Sequence, residues 1–272
     1  MGPQKVLRPR KRLGQHFLVD PSLGHRIVEA AGFDPGDPVL EIGPGKGALT
    51  FPLARKGVRL VAVEKDAILC KDLAERLARA GHDNVRLVNE DILTFDFRKV
   101  TRPGGGKVVV IGNLPYNIST PLLERLTEYR DIIGRSVLMF QREVGERLTA
   151  SPGGKAYGAM TVLVRYHAAV RPLIRVPPTA FRPRPKVESM LLELDFERPY
   201  PRRAESYEAF RRTVKAAFSH RRKTLVNSMR DFDPARSREE LESALQRCGI
   251  DLKARAETLA MDDFLCLAAA LH

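Results

Sequence analysis

The sequence predicts an α/β protein in which a parallel sheet is followed by a small C-terminal all-helical domain. Two observations predict this class. Short apolar runs rich in β-branched residues alternate with helical stretches along most of the chain, and no such run occurs beyond about residue 200. The predicted strands are Val39–Ile42, Leu60–Val63, Val85–Val88, Val108–Ile111, Val137–Phe140, Thr161–Tyr166 and Met190–Phe196.

The segments between the first strands have the periodicity of crossover helices. In Asp66–Ala80, Leu69, Leu73 and Leu77 recur at helical spacing opposite charged residues. The segment Pro199–Arg203 interrupts regular structure, and only helical periodicity follows it. We therefore predict a first domain over residues 1–199 and a helical second domain over residues 200–272.

The charge balance favours a polyanionic partner. The 272 residues include 46 Lys and Arg against 33 Asp and Glu, a net charge of +13. Nucleic acid is the leading candidate and a membrane surface the second. No run approaches the roughly 18 apolar residues of a membrane span, and no apolar signal-peptide core follows the basic start. A cytoplasmic protein is expected, with an organelle transit peptide as the alternative, which the late first serine, Ser22, disfavours.

The three cysteines, Cys70, Cys248 and Cys266, are far apart in sequence. They are odd in number and have neither C-x-x-C spacing nor a nearby histidine partner. We expect ordinary reduced residues, and no metal site.

A glycine-rich turn follows the first strand, in the order Glu41, Gly43, Gly45 and Gly47. A dinucleotide fingerprint would place its third glycine at position 48, which is Ala48, and the spacing also fails the phosphate-binding P-loop pattern. The order E-x-G-x-G-x-G resembles the first motif of S-adenosylmethionine-dependent methyltransferases, which implies cofactor contacts from Glu41, Gly43, Gly45 and Gly47.

Two further acids lie at strand ends. Glu64 ends the second predicted strand and Asp91 follows the third, and ligands of open α/β sheets bind at the carboxyl ends of strands. The methyltransferase resemblance implies that Glu64 accepts the ribose hydroxyls, that Asp91 accepts the adenine amino group, and that the Ile92 backbone completes base recognition. The alternative is that these acids are helix N-caps.

The fourth strand ends in the N-x-P-Y tetrapeptide Asn113, Leu114, Pro115 and Tyr116, which is typical of methyltransferases that act on adenine amino groups. Hydrogen bonds to the Asn113 side-chain oxygen and the Leu114 carbonyl would favour a more nucleophilic, pyramidal amine. Pro115 fixes φ and stiffens the turn, and Tyr116 offers a ring face to the base. The alternative is a buried turn with a core tyrosine.

A proline-rich basic loop offers a second ring. It begins at Phe181 and continues with Arg182, Arg184 and Lys186. A base removed from its stack regains about 1 to 3 kcal/mol on an aromatic ring, so Phe181 is predicted to form the second wall of the base pocket. A hydrophobic loop anchor is the alternative for this residue.

The start of the helical domain is strongly basic. Between Arg198 and Arg230 there are ten Lys and Arg against two Glu, which suits contacts with RNA phosphates. The alternative is a solvated helix face.

Together these motifs resemble the ribosomal RNA adenine N6-dimethyltransferase family, and the likeness covers nearly the whole chain. Further matches are Lys11–Leu18, Gln141–Leu148, Tyr157–Gly158, and Phe218–Leu225 followed by Asn227 and Ser228. The resemblance implies a Rossmann-like methyltransferase sheet, S-adenosylmethionine as methyl donor without a metal, and dimethylation of two adjacent adenosines in the terminal hairpin of small-subunit ribosomal RNA.

The same resemblance implies cofactor contacts from Gln15, His16 and Leu18 and binding to immature small subunits. We also expect a monomer. The residues predicted to contact RNA are Lys11, Arg12, Arg182, Arg184, Lys186, Arg221, Arg222 and Lys223. Two rival functions remain, a large-subunit adenine methylase of antibiotic resistance and a noncatalytic RNA-binding or transcription factor. The large-subunit enzymes generally have isoleucine where this chain has Leu114, and intact Glu64, Asp91 and Asn113 argue against lost chemistry.

Overall fold

The computed structural model describes residues 15–101 and 106–272. Its strands are β1 (Phe17–Leu18), β2 (Pro38–Ile42), β3 (Arg59–Val63), β4 (Val85–Val88), β5 (Val108–Asn113), β6 (Ile133–Gln141), β7 (Ala169–Val176), β8 (Phe181–Arg182) and β9 (Ser189–Asp195). Its α-helices are α1 (Pro21–Ala31), α2 (Thr50–Arg55), α3 (Ala67–Arg79), α4 (Ser119–Glu128), α5 (Arg142–Thr149), α6 (Ala159–His167), α7 (Tyr207–Ala217), α8 (Leu225–Phe232), α9 (Arg238–Arg247) and α10 (Met261–Leu271). The predicted RNA contacts Lys11 and Arg12 lie outside the described residues.

The main sheet has seven strands in the order β4-β3-β2-β5-β6-β9-β7. Strands β2 to β6 pair in parallel, and β9 pairs antiparallel with β6. From β2, the chain adds β3 and β4 on one side and then β5 and β6 on the other. The loops after β2 and β5 therefore border a crevice at the carboxyl ends of the strands. Separately, β1 and β8 form a two-stranded antiparallel pair.

The core on one side of the sheet is built by α1 and α2, with Ile27, Val28 and Leu53 packed on strand residues such as Val39. The predicted crossover helix is confirmed as α3. Asp66 caps it, accepting a hydrogen bond from the Ile68 backbone, and Leu69, Leu73 and Leu77 are its buried face.

The prediction of a strand at Thr161–Tyr166 is wrong. These residues lie in α6, and the strand is the following segment, β7, which the sequence reading missed. The side chains of Val162 and Tyr166 join a hydrophobic cluster with Phe210 and Val214 of α7. Burial in this helical core outweighs the strand preference of a β-branched run.

The described chain divides into two compact units. The first contains residues up to Gly145 together with Val170–Glu197, and the second contains Glu146–Ala169 and Arg198–His272. The division between Glu197 and Arg198 lies close to the predicted domain boundary at 199/200. The prediction of one continuous first domain differs from this division at Glu146–Ala169, because α6 buries its apolar face in the core of the second unit.

The expectation that all three cysteines are reduced is also wrong. Cys248, which ends α9, forms a disulfide with Cys266 of α10, while Cys70 is free. Leu245 of α9 and Phe264 of α10 belong to the same buried cluster, and this packing brings together two sulfurs 18 residues apart. Sequence spacing gives no sign of such a contact.

Candidate active site

A cavity of about 190 Å³ lies at the carboxyl ends of the central strands. Its walls are the glycine-rich turn after β2, the ends of β3, β4 and β5, and the segment around β1. Of the residues predicted to contact a cofactor or to act in catalysis, those that line it are Gln15, His16, Leu18, Glu41, Gly43, Gly45, Glu64, Asp91, Ile92, Asn113, Leu114 and Pro115.

The glycines of the turn have separate reasons to be glycine. Gly45 has φ of +55°, and a Cβ there would lie 3.1 Å from the Phe17 ring. Gly47 has φ of +84°, and a Cβ there would lie within 3.0 Å of Leu73 and Phe51 side-chain atoms. Gly47 does not line the cavity, contrary to its prediction as a cofactor contact. It lets α2 and α3 pack closely behind the turn.

Glu64 connects the turn to the end of β3. One carboxylate oxygen accepts a hydrogen bond from the Gly45 backbone at 3.0 Å and the other from the Asp66 backbone at 2.8 Å. Burial raises the pKa of Glu64, and these backbone donors oppose that shift. The carboxylate is thus held in place, with each oxygen keeping a lone pair for a ligand hydroxyl.

Asp91 acts as a cap and also lines the cavity, and its contact with the adenine amino group stays a prediction. One oxygen accepts a hydrogen bond from the Leu93 backbone at 3.0 Å, so it caps the following turn, and the residue also lines the cavity. Its other oxygen lies 2.6 Å from Lys65 Nζ. Burial raises the pKa of Asp91, but the hydrogen bonds from Lys65 and Leu93 outweigh it and leave the pKa below its ordinary value.

Asn113 ends β5, where its side chain is oriented by the segment around β1. Asn113 Nδ2 donates to the His16 carbonyl at 2.9 Å, and His16 Nδ1 donates to the Pro183 carbonyl at 2.7 Å. Since the amide nitrogen is engaged, Asn113 Oδ1 is the atom available to accept a hydrogen bond from a substrate.

Tyr116 follows in the same tetrapeptide. Its hydroxyl hydrogen-bonds Ser189 Oγ at 2.8 Å, and its ring centroid is 5.5 Å from that of His16. Burial raises the pKa of the phenol against the effect of Ser189, so the ring is neutral at ordinary pH. Tyr116 lies beside the cavity but is not among the residues that line it.

Comparison with known proteins identifies the family. The model of the family described as ribosomal RNA adenine dimethylase matches residues 6–272. The chain belongs to this family.

Relatives within the family span nearly all of the chain. It is 46% identical over 272 residues to a ribosomal RNA small subunit methyltransferase A of Desulforapulum autotrophicum, covering 98% of this chain and 94% of that protein. A protein of the same description from Magnetococcus marinus is 45% identical over 265 residues, with 97% and 92% covered. The predicted family resemblance is confirmed.

Two solved structures share the architecture. A dimethyladenosine transferase from Plasmodium falciparum superposes with a TM-score of 0.77 at 25% identity, covering 93% of this chain and 96% of that one. The 23S rRNA methyltransferase ErmE gives a TM-score of 0.71 at 26% identity, with 94% and 99% covered. The predicted Rossmann-like methyltransferase fold is confirmed.

Phe181 is not placed as the second wall of a base pocket, the position that its proline-rich basic loop predicted. Its side chain has no exposed area and belongs to the core of the first unit, where β8 pairs with β1. It does not line the cavity. In this structure Phe181 is the hydrophobic anchor that the sequence left as an alternative, and stacking on a base requires its ring to become accessible.

The predicted RNA contacts that the structure describes are on the surface. Arg182, Arg184 and Lys186 are exposed in the first unit, as are Arg221, Arg222 and Lys223 in the second. Arg221 donates to the Lys155 carbonyl, and Lys223 pairs with Asp231. Exposure is compatible with RNA binding, and the individual contacts stay predictions.

Residues that the sequence reading missed also line the site. Phe17, Lys46 and Lys65 lie in its wall. Their signal was position, since Phe17 lies between two predicted contacts and Lys65 directly follows Glu64. Among the described residues no group of three His, Cys, Asp or Glu side chains is arranged to hold a metal ion. Over the same residues, no helix combines the length and apolar character needed to cross a membrane.

Proposed function

We propose that this chain transfers methyl groups from S-adenosylmethionine to the N6 atoms of two adjacent adenosines in the 3′-terminal hairpin of small-subunit ribosomal RNA. The observation that carries the proposal is that Asn113, Leu114 and Pro115 line the same cavity as Glu64 and Asp91. The residues proposed to accept hydrogen bonds from the target amine thus lie in the same site as the residues proposed to bind the nucleoside of the methyl donor. The names of the relatives support the choice of substrate.

The residues of the cavity fit S-adenosylmethionine. The close-fitting turn at Gly45 allows backbone to approach a ligand, Glu64 presents carboxylate lone pairs for ribose hydroxyls, and Asp91 with the Ile92 backbone suits an adenine edge. When bound, this donor supplies an electrophilic methyl group on a sulfonium. No side chain has to form a covalent bond, so the contribution of the protein is positioning and electrostatics.

The residues at the end of β5 act on the target amine. The nitrogen lone pair of an adenine amino group is delocalised into the ring, which makes the group a weak nucleophile. Hydrogen bonds from its two hydrogens to Asn113 Oδ1 and the Leu114 carbonyl would favour a pyramidal nitrogen. The Asn113 amide is already aligned by its bond to the His16 carbonyl, so little reorganisation is needed. The displaced proton leaves to water.

An adenosine in a hairpin must leave its stack to reach this site, at a cost of a few kcal/mol. Tyr116 belongs to the same tetrapeptide as the amine acceptors, and the bond of its hydroxyl to Ser189 restrains the side chain. Stacking on one ring returns about 1 to 3 kcal/mol. Phe181 would add a second ring after a local rearrangement that exposes it.

We propose that the substrate is RNA within immature small subunits in the cytoplasm, and that the enzyme acts as a monomer. The exposed cations at Arg182, Arg184 and Lys186 and at Arg221–Lys223 would contact phosphates. Leu114, at a position where the large-subunit enzymes generally have isoleucine, supports the small-subunit assignment.

The decisive experiment is mass spectrometry of ribosomal RNA incubated with the enzyme and S-adenosylmethionine. Immature small subunits should yield N6,N6-dimethyladenosine at two adjacent positions of the terminal hairpin, and large-subunit RNA should yield none. Product on large-subunit RNA alone would assign the chain to the resistance methylases. Absence of product on both would favour a noncatalytic RNA-binding factor.

A further inference from the structure

Glu41, near the end of β2, is a buried acid on the floor of the cavity. Its side chain is 2% exposed and lines the same space as Glu64 and Asn113. The oxygen Oε2 is buried and makes no hydrogen bond to any residue that the structure describes. A buried carboxylate is strongly disfavoured without a partner, whereas the neutral acid is tolerated.

Among the residues that the structure describes, the groups around Glu41 do little to offset a negative charge. Glu64, which follows the neighbouring strand β3, brings a second carboxyl group. On α2, the buried Thr50 hydroxyl has no partner of hydrogen-bond geometry among the described residues. The two lysines of the cavity wall are engaged elsewhere. Lys65 pairs with Asp91, and Lys46 Nζ lies 5.0 Å from the centre of the Phe17 ring. Burial, opposed by Thr50 and reinforced by Glu64, raises the pKa of Glu41 to about 8.

We propose that Glu41 is a neutral carboxylic acid in the cofactor-free enzyme and releases its proton to solvent when the positively charged methyl donor binds. The inference rests on the proposed function, because it takes the donor to be S-adenosylmethionine, whose sulfonium and ammonium outnumber its one carboxylate. The O–H bond of Glu41 breaks, the proton goes to water, and the carboxylate remains as the counter-charge of the donor. Glu41 is thus a donor-binding residue that carries a negative charge only when the donor is bound.

Calorimetry measures the number of protons that the enzyme releases when the donor binds. Donor binding is titrated near pH 6.5 in buffers of different ionisation enthalpy, where the donor amino group, of ordinary pKa about 7.7 to 8.0, stays charged. We expect release of close to one proton by the native enzyme. The variant Glu41→Gln should release almost none, although it keeps His16 and Glu64 in the cavity wall.

Glu75→Gln is the matched control, since Glu75 is exposed on α3, away from the cavity wall. It should release as many protons as the native enzyme. Equal release by Glu41→Gln and the native enzyme, or no release by either, would overturn the proposal.

The pH dependence of affinity gives a second test that needs no variant. Release of one proton makes the association constant of the native enzyme for the donor rise nearly tenfold per pH unit between about pH 5.5 and 6.5, where Glu41 of the free enzyme and the donor amino group are both protonated. An association constant independent of pH over this range contradicts the proposal. Neither measurement uses RNA, so failure of proton release and failure to methylate small-subunit RNA are separate results.

Discussion

Asn113 has a structural contact through one atom of its side chain and a proposed chemical role through another. Its nitrogen donates to the His16 carbonyl, and its oxygen is left as the acceptor at the cavity. The bond to His16 joins β5 to a segment 97 residues away in sequence. Orientation of the oxygen therefore depends on the tertiary structure, although the residue type was recognisable from its tetrapeptide.

The substitution Asn113→Ala removes the amine acceptor. Methyl transfer should fall by about 10²-fold or more, the range seen when one preorganised hydrogen-bonding group is lost from a reacting centre. RNA affinity should stay nearly unchanged, because phosphate contacts elsewhere supply most of it. Single-turnover kinetics and a filter-binding titration measure the two quantities.

Asn117→Ala is a suitable control for this variant. Asn117 lines the same cavity but is outside the predicted acceptor set, and its loss should reduce turnover much less. If Asn113→Ala lost RNA binding and turnover equally, Asn113 would have a structural role.

At the scale of elements, the disulfide between Cys248 and Cys266 closes a loop that contains the segment from the end of α9 to α10. The two helices already share a core that includes Leu245 and Phe264. The crosslink therefore adds to packing that exists without it, chiefly by restricting the unfolded chain.

Cys248→Ser should keep the fold and lower the free energy of unfolding by about 2 to 4 kcal/mol, the usual contribution of a disulfide closing a short loop. Urea unfolding followed by circular dichroism, with and without reductant, measures the loss. Reductant should destabilise the native protein and the control Cys70→Ser alike, and should leave Cys248→Ser unaffected. Unchanged unfolding of the native protein after complete reduction, verified by thiol titration, would contradict the expected contribution.

Elements also show where sequence patterns fail. The periodicity of Leu69, Leu73 and Leu77 predicted α3 because amphipathic spacing is a local property. The run at Thr161–Tyr166 is rich in β-branched residues but forms α6, because its side chains are buried by distant Phe210 and Val214. A short segment of sequence does not reveal the energy of a contact with residues so far away in the chain.

At the scale of the whole molecule, the positive net charge favours binding to RNA. The excess of 13 positive charges attracts a polyanion over distance and without sequence preference. Choice among RNA sites must then come from RNA shape and from bases in loops.

The triple variant Arg221→Ala, Arg222→Ala, Lys223→Ala tests the predicted phosphate contacts. If each cation binds one phosphate, affinity should weaken and the slope of log affinity against log salt should become less steep by about 2 to 3. The control removes the same charge from exposed Lys71, Arg79 and Lys253. Equal changes in slope for both triple variants would indicate a general charge effect in place of contacts at Arg221–Lys223.

The sequence alone determined the α/β class, the family, the acids at the strand ends and the tetrapeptide at Asn113. The class and the place of the acids follow from local periodicity and from the rule that parallel strands bring their carboxyl ends to one edge. The family and the tetrapeptide were recognised by resemblance. Only the tertiary structure decided that Phe181 is buried, that Cys248 meets Cys266, that Thr161–Tyr166 is helical, and that no described residue is a partner for the buried oxygen of Glu41. Each depends on contacts between residues far apart in the chain, whose energies are set by burial and packing and leave no mark on local sequence.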